Sequence, residues 1–244
     1  MHSPVDGLSI GQHPLVTRQL KGVFQTRPPL PRYQGTWDVG LVLRYISSDI
    51  LDDNMSLKQL FLRTVMLLAL TGPSRSADLS NLSLKGYRNT PEGAVFIPTA
   101  LAKQSRPGKN FKEFFFAKFN GDEALCPVKS LSLYIEKTRE LRGDAKQLFI
   151  SSIKPHQPVT SSTIARWLKQ IMELAGIDTS MFKAHSVKSA STSTAAMQGI
   201  TTEDILSAAD WSSDLTFRCF YYKPLHDTGF AQSVLTATNN TIDM

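Results

Sequence analysis

The stretch KAHSVKSASTSTAAMQGITTEDILSAADWSSDLTFRCFYYKP, residues 183–224, contains most of the signals that decide the fold. Its pattern predicts three successive helices, His185–Gln198, Thr202–Ala209 and Ser213–Tyr222. Gly199 follows the first of them, at a position where glycine commonly ends a helix. The C-terminal part of the chain is therefore predicted to be helical.

Two basic side chains stand at the start of the first of these helices. His185 and Lys188 are three residues apart, so they belong to one helix face. The free N–H groups and the dipole of a helix N-terminus favour an anion, and two cations beside them make a candidate phosphate site. A histidine that caps the helix and a solvated lysine are the alternative, and spacing alone leaves both interpretations open.

Aromatic residues cluster at the end of the same stretch. Trp211 is followed by Phe220, Tyr221 and Tyr222, just before a Lys-Pro pair. Taken alone, these residues are typical of a helix face that packs on a hydrophobic core. Any chemical role for them depends on what lies elsewhere in the sequence.

The chain upstream predicts more helices and one small sheet. Helical signals lie at Thr36–Ile46, Leu57–Leu70, Arg75–Leu82, Pro127–Leu141 and Thr160–Ala175. The first residues before Leu57–Leu70, Ser56-Leu-Lys-Gln59, resemble a capping box. Short apolar or aromatic runs between turn residues predict strands at Leu84–Arg88, Ala94–Pro98, Glu113–Ala117 and Leu148–Ser151. The predicted fold class is mainly α with a small antiparallel β-sheet, an α+β architecture.

The ends of the chain differ from its middle. Residues 1–34 have little regular pattern and several prolines, so we expect an extended arm or linker there. Residues 35–225 are expected to form the main domain, and residues 226–244 a C-terminal helix and tail. In that last segment, Gly229–Leu235 is amphipathic.

Composition limits the class of protein. With 41% hydrophobic and 20% charged residues, the chain is neither disordered nor collagen-like nor a coiled coil. Its two cysteines form no CxxC pair, which indicates a reducing compartment. The longest apolar run, Val65–Leu70, is too short for a membrane span, and the first residues lack a secretory signal. We expect an intracellular protein with no membrane partner, and its net charge of +6 permits a polyanionic one.

Motifs of the common cofactor and metal enzymes are missing from the sequence. It has no GxxxxGK[ST], GxGxxG or GxSxG motif. Its histidines form no HExxH, and its carboxylates are not paired as a two-metal nuclease requires. We therefore expect no organic cofactor and no metal.

Several motifs in the right order resemble the catalytic domain of the tyrosine recombinases, the phage-integrase-like family. The closest resemblance is to the recombinases of DIRS-type retrotransposons. Residues 71–79, Thr-Gly-Pro-Ser-Arg-Ser-Ala-Asp-Leu, resemble the family's TG-x-x-R-x-x-E/D-L box. Further matches lie at residues 101–108, 112–116, 126–129, 185–188, 211–213 and 220–224. The resemblance extends over residues 13–235.

The resemblance implies an enzyme that breaks and rejoins DNA without a metal. In the family, a tyrosine attacks the scissile phosphodiester, forms a 3′-phosphotyrosyl bond and releases a 5′-hydroxyl, and a partner strand's 5′-hydroxyl reverses the step. Such a phosphoryl transfer depends on in-line positioning and on cations at the non-bridging oxygens. The implied function is site-specific recombination or integration of double-stranded DNA, and the implied location is the nucleus.

Matching the upstream motifs gives candidate roles for three residues. Arg75 matches the first family arginine, whose guanidinium holds two phosphate oxygens. Asp78 matches the family acid, which orients Arg75 or caps its helix. Lys103 matches the hairpin lysine, a general acid for the leaving 5′-oxygen, and Arg106 and Lys109 compete for that assignment.

The C-terminal motifs supply the remaining candidates. His185 matches the family histidine, a proton shuttle or phosphate contact. Trp211 falls where most members have histidine and some have tryptophan, and its indole can donate one hydrogen bond but shuttles no proton. Tyr221 matches the nucleophile, and Tyr222 is the adjacent alternative. Nearby cations must favour the phenolate, because an unperturbed tyrosine has a pKa near ~10.

Two departures from the family pattern predict weakened cleavage in one case and weakened DNA binding in the other. The family has His-x-x-Arg, whereas this chain has Lys188 in the place of the arginine, and lysine cannot grip two oxygens. The family also carries an N-terminal helical domain that closes around DNA, and residues 1–34 are expected to be a remnant of it. A decayed recombinase that still binds DNA is therefore the first alternative function.

A basic segment supports DNA as the partner. Residues 99–119 contain five lysines and arginines and one acidic residue, and Arg106, Lys109 and Lys112 are the candidate DNA-binding residues. A solvated charged loop is the alternative for this segment. Gly229–Leu235 either docks on a neighbouring subunit, as in the family, or folds on its own domain. A helical interaction module with incidental basic charge is the third functional reading, and a salt-sensitive DNA shift separates it from the other two.

Overall fold

The chain forms a short N-terminal unit and a larger helical unit. A computed structural model describes residues 7–28, 35–49, 51–52, 54–97 and 113–223. The two units are residues 1–32 and residues 33–244. No helix in these described ranges is long and apolar enough to cross a membrane.

The N-terminal unit contains a helix where an extended arm was predicted. Helix α1 runs from Pro14 to Thr26, after a 3-10 turn at Ile10–Gln12. The prediction was wrong because Pro14 occupies the first helical position, where the missing N–H is no loss. The ring of His13 caps the helix by accepting a hydrogen bond from the N–H of Leu15 at 3.3 Å.

Within the described ranges of the larger unit, eight α-helices follow α1, and most agree with the sequence prediction. They are α2 (Val39–Ser47), α3 (Leu57–Thr71), α4 (Ser76–Ser80), α5 (Pro127–Thr138), α6 (Ser161–Leu174), α7 (Ser186–Met197), α8 (Thr202–Ala209) and α9 (Asp214–Thr216). Gly176 and Gly199 follow α6 and α7 with φ of +83° and +85°, so the glycine expected after α7 does end it.

The predicted antiparallel sheet is present. Its strands are β1 (Tyr87–Asn89), β2 (Gly93–Phe96) and β3 (Phe114–Ala117), in the order β1-β2-β3. Val95 of β2 pairs with Arg88 on one side and Phe115 on the other. The first strand begins later than predicted, because Leu84–Gly86 forms a 3-10 turn. The fold class, mainly α with a small antiparallel sheet, is confirmed.

Helix α3 lies at the centre of the hydrophobic core. Every residue from 60 to 70 is buried, since α5, α6 and α7 pack around the helix. The ring centroid of Phe61 lies 5.0 Å from that of Tyr134 on α5 and 4.9 Å from that of Trp167 on α6. Burial also raises the pKa of Tyr134, whose hydroxyl accepts a hydrogen bond from the N–H of Ile150. The core therefore fixes the mutual positions of the helices that carry the site.

The predicted capping box opens α3, and it supports a stability prediction. The Ser56 hydroxyl accepts from the N–H of Gln59 at 3.3 Å, and the Gln59 side chain accepts from the N–H of Ser56 at 3.2 Å. We expect Ser56→Ala to lower the free energy of unfolding by about 1 kcal/mol, measured by urea denaturation. Ser56→Thr keeps the cap and serves as the control. Equal stability of the alanine variant and the wild type would contradict the prediction.

Two predicted elements differ from the structure. Leu148–Ser151 is not a strand, because its one ladder contact is an isolated bridge between Ile150 and Pro158. The N–H of Leu148 instead bonds the carbonyl of Leu82. Ser213–Tyr222 is not one α-helix, because α9 continues as a π-helical turn over Phe217–Tyr221. In that turn the N–H of Tyr222 bonds the carbonyl of Phe217, five residues back, at 2.8 Å.

Helix α7 packs through hydroxyl groups as well as through apolar side chains. Ser186, Ser189, Thr192 and Ser193 are all buried. The Ser186 hydroxyl accepts a hydrogen bond from the indole N–H of Trp37 at 2.9 Å, and the Ser191 hydroxyl donates to the carbonyl of Leu70 on α3. The helix that begins at the candidate site is thus bonded to several other segments.

Candidate active site

A cleft of about 360 Å³ brings together residues that are far apart in the sequence. Its lining comes from four places: the loop and start of α4, the first turns of α6 and α7, and the π-helical turn. We call it the α6–α7 cleft. It is lined by Ser74, Arg75, Ser76, Ala77, Ser161, Ser162, Ala165, Ala184, His185, Lys188 and Tyr221. Four of the six sequence-predicted catalytic residues lie in it.

The backbone of Arg75 is fixed at the N-terminus of α4. It occupies the N-cap position, and its N–H donates to Oδ2 of Asp78 at 2.8 Å. Of the two roles considered for Asp78, helix capping is thus the one with a hydrogen bond in the structure. The cap fixes the point from which the Arg75 side chain reaches the cleft.

His185 and Lys188 both line the cleft from the start of α7, but their surroundings differ. His185 is the exposed N-cap residue, whereas Lys188 is only 5% exposed. The alternative of a solvated lysine at this position is therefore wrong. Nζ of Lys188 donates to the carbonyl of Ala209 at 2.7 Å and lies 4.6 Å from the centre of the Trp211 ring. The buried ammonium is thus stabilised by a helix C-terminus and an aromatic face.

Trp211 connects Lys188 to the candidate nucleophile. The Trp211 and Tyr221 rings have centroids 4.3 Å apart, and Trp211 also stacks on Phe217 at 5.7 Å. Trp211, Tyr221 and Tyr222 thus pack in a small apolar cluster, as one interpretation of the sequence expected, whereas Phe220 is exposed. Nε1 of Trp211 is buried and finds no hydrogen-bond partner among the described residues.

The two adjacent tyrosines differ in their surroundings. Tyr221 lines the cleft with Arg75 and His185, while the ring of Tyr222 packs against Phe217 at 5.6 Å. The structure thus brings Tyr221 to the candidate cations. Lys103, Arg106, Lys109 and Lys112 lie outside the described residues, as does Gly229–Leu235.

Sequence reasoning missed the contribution of α6. Ser161 and Ser162 are in its first turn and line the same cleft as the start of α7. Two helix N-termini, with the positive ends of their dipoles, therefore lie at one cleft. At the start of α7 the N–H groups of Ser186 and Val187 bond the carbonyls of Lys183 and Ala184. The run Thr160-Ser-Ser-Thr163 marks a helix start in the sequence, but nothing local indicates that α6 begins beside α7. The described residues contain no group of three or more His, Cys, Asp or Glu side chains placed to hold a metal.

Several solved structures similar to this chain are DNA recombinases or integrases. XerH site-specific recombinase, bound to its palindromic difH substrate in a post-cleavage complex, is 14% identical with a TM-score of 0.61, over 86% of this chain and 54% of that one. XerA recombinase is 15% identical with a TM-score of 0.58, over 94% and 75%. The Tn1549 transposon integrase, in complex with transposon right-end DNA, is 14% identical with a TM-score of 0.55, over 95% and 80%. This chain spans about half the length of the XerH chain.

The comparisons settle the fold. It is the fold of the tyrosine recombinase catalytic domain, as the motifs implied. No protein-family model matches the sequence. No curated protein matches it either. The specific resemblance to DIRS-type elements rests on sequence motifs alone and stays a prediction.

Proposed function

We propose that this protein breaks and rejoins DNA strands through a phosphotyrosyl intermediate on Tyr221. The observation that supports the proposal most is the placement of Tyr221 in one cleft with Arg75, His185 and Lys188. A tyrosine beside an arginine, a histidine and a lysine is suited to phosphoryl transfer, since the nucleophile and the charge-stabilising groups face one phosphate. The fold shared with DNA recombinases is consistent with this chemistry.

The proposed step conserves bonds and needs no external energy source. The Tyr221 oxygen attacks the phosphorus and gives up its proton, for which His185 is the acceptor. A phosphorus–oxygen bond to Tyr221 forms as the bond to the 5′-oxygen breaks, and the DNA 3′-phosphate stays on the protein. The leaving 5′-oxygen takes a proton from Lys103 and becomes a hydroxyl. Attack by a 5′-hydroxyl on the phosphotyrosine restores the DNA and frees Tyr221.

The cleft supplies positive charge where this step develops negative charge. Arg75 contributes a planar guanidinium that can bind two phosphate oxygens. The starts of α6 and α7 add partial positive charge from the N-terminal ends of their helix dipoles. Trp211 contributes packing for the Tyr221 ring, and its unpartnered Nε1 is a further candidate donor. The catalytic contribution of the cleft is thus electrostatic positioning of one phosphate.

A catalytically impaired DNA-binding remnant of such a recombinase is the second candidate function. One observation favours it: Lys188 stands where the family has arginine, and its Nζ already bonds the carbonyl of Ala209. Because one N–H of the Lys188 ammonium is used in this bond, fewer donors remain for a phosphate than a guanidinium would have. Double-stranded DNA is the partner under both candidates. A retrotransposon origin, a nuclear location and self-association on DNA through Gly229–Leu235 complete the proposal.

Covalent trapping tests the proposal. The protein first selects a binding site from a random-sequence duplex library, because its cognate site is unknown. Nicks are then placed one by one along that site, so that the short 5′-hydroxyl fragment dissociates and religation is prevented. We expect a DNA–protein adduct on a denaturing gel for at least one nick position. No adduct on a bound site, with wild type and with Lys188→Arg, would leave the DNA-binding remnant as the function.

The basic segment supports a prediction about salt. Each phosphate contact that a protein makes on duplex DNA contributes about −0.9 to the slope of log K against log salt concentration. We expect the slope to become shallower by up to about 3.6 when four residues are changed to glutamine together. The four are Lys103, Arg106, Lys109 and Lys112.

The control for this measurement removes the same number of positive charges outside the basic segment. Four exposed residues are changed to glutamine: Lys58, Arg139, Lys146 and Lys154. Fluorescence anisotropy with a mixed-sequence duplex gives both slopes. An equal change in the two variants would mean that the basic segment makes no specific contact. No salt-sensitive binding by the wild type would support an interaction module instead.

A further inference from the structure

Two buried serines of α7 hold the backbone of the candidate nucleophile. The hydroxyls of Ser189 and Ser193 both donate to the carbonyl of Tyr221, at 2.6 and 2.9 Å. Ser189 is 5% exposed and Ser193 is fully buried. The two serines are four residues apart, so they lie one turn from each other on the same helix face. We call them the serine pair.

Ser193 also holds the residues that follow. Its hydroxyl accepts a hydrogen bond from the N–H of Lys223 at 2.8 Å while it donates to the Tyr221 carbonyl. The Ser193 hydroxyl thus bonds the residue before Tyr222 and the residue after it, at the end of the π-helical turn. The carbonyl of Tyr221 is at the C-terminus of that turn, where helical carbonyls lack partners within the helix. The serine pair supplies the two missing donors.

The serine pair is on the helix that also carries the candidate cations. His185 and Lys188 line the cleft from the first turn of α7, and Ser189 follows Lys188 directly. Because the serine pair bonds the carbonyl of Tyr221, two hydrogen bonds attach the candidate nucleophile to the helix that carries these groups. The Trp211 ring fixes the other end of the same residue, 4.3 Å from the Tyr221 ring. The backbone and the ring of Tyr221 are therefore held independently.

We propose that Ser189 and Ser193 are positioning residues that aim the Tyr221 hydroxyl at the bound phosphate. This inference rests on the proposed phosphotyrosyl chemistry. In-line attack tolerates little misplacement, and an error of about 1 Å can lower a rate by about 10²-fold. A carbonyl that accepts two hydroxyl donors has a defined direction, which a single donor or an apolar contact does not impose. The serine pair therefore affects the chemical step and leaves DNA binding unchanged.

The test measures single-turnover adduct formation on the nicked DNA and separates rate from binding. We expect Ser189→Ala and Ser193→Ala to slow adduct formation by about fivefold each, and the double variant by about 10²-fold. The dissociation constant for DNA should stay within about twofold, since neither hydroxyl lines the cleft. Ser193→Thr keeps the hydroxyl and should restore most of the rate.

Ser191→Ala is the matched control. It removes a hydroxyl from the same helix, but that hydroxyl donates to the carbonyl of Leu70 and not to Tyr221. If Ser191→Ala slows adduct formation as much as the variants of the serine pair do, the effect is a general loss of helix packing. That result would overturn the proposal, and so would wild-type rates in the double variant.

Hydrogen exchange tests the arrangement without DNA. The amide of Lys223 bonds Ser193, whereas the amide of Tyr222 bonds the carbonyl of Phe217 within the turn. We expect Ser193→Ala to speed exchange of the Lys223 amide by about tenfold or more, with less effect on the Tyr222 amide. Unchanged exchange of both would overturn the proposed contact. A wild type that binds its selected DNA but forms no adduct would instead overturn the proposed function, and with it the positioning role.

Discussion

Tyr221→Phe is expected to abolish the covalent adduct, and Tyr222→Phe to leave it. The first change removes only the oxygen that would form the bond to phosphorus. The ring stays, so its contact with Trp211 at 4.3 Å and the bonds of its carbonyl to the serine pair are retained. Among the described residues that line the cleft, Tyr221 is the one tyrosine, so we expect the adduct to fall below detection.

Tyr222→Phe is the matched control because it makes the same chemical change one residue away. Its ring packs on Phe217, and it does not line the cleft. Both variants should bind the selected DNA with wild-type affinity and unfold at the wild-type temperature. An adduct that survives Tyr221→Phe and disappears in Tyr222→Phe would assign the nucleophile to Tyr222. Loss in both variants at wild-type stability would contradict an assignment to either residue alone.

Lys188→Arg is expected to increase the rate of adduct formation, by up to about 10²-fold. Losing one preorganised donor at a developing charge costs about 10²–10³ in rate, roughly 2.7–4 kcal/mol. Lysine keeps the charge but is a point donor, and one of its N–H groups is bonded to the carbonyl of Ala209. A guanidinium has five N–H donors, so it can keep that bond and still hold two phosphate oxygens.

Lys188 is buried, so the prediction needs a control for whether the larger arginine fits. The side chain is buried against Trp211, so the longer arginine must fit the same site. Thermal unfolding of both proteins shows whether it does, and the adduct rate is compared with fully folded protein. Lys188→Met fills a similar volume without charge and should be slower than the wild type. An arginine variant that is folded but slower than or equal to the wild type would contradict the prediction.

Features set by local sequence were predictable. The capping box at Ser56, the proline that begins α5 and the glycine that ends α7 act on their own neighbours, and the structure has all three. The cleft residues Arg75, His185 and Tyr221 were identified through motif resemblance, since no periodicity brings them together. The helix that starts at Pro14 was not predicted because proline both occupies the first position of helices and is common in arms and linkers.

Features that depend on tertiary packing were not predictable. The burial of Lys188 requires α8 to end beside α7, so that the carbonyl of Ala209 reaches its ammonium. The lining by Ser161 and Ser162 requires α6 and α7 to begin at the same place. The role of the serine pair requires a π-helical turn that ends over α7. In each case the partner is distant in the chain, and a serine within a helix gives no sign of which carbonyl it will meet.

The hydroxyl contacts of α7 also determine which changes the helix tolerates. Ser186, Ser191 and the serine pair bond groups on three separate segments: Trp37, the end of α3 and the end of the π-helical turn. Apolar packing is non-directional, so a helix held only by leucine and alanine can rotate by a few degrees at little cost. Here any rotation about the helix axis would break directional bonds on several sides and leave buried hydroxyls without partners. Serine-to-alanine substitutions, which remove only the hydroxyl oxygen, are therefore expected to retain the fold while loosening the rotational register of the helix that carries His185 and Lys188.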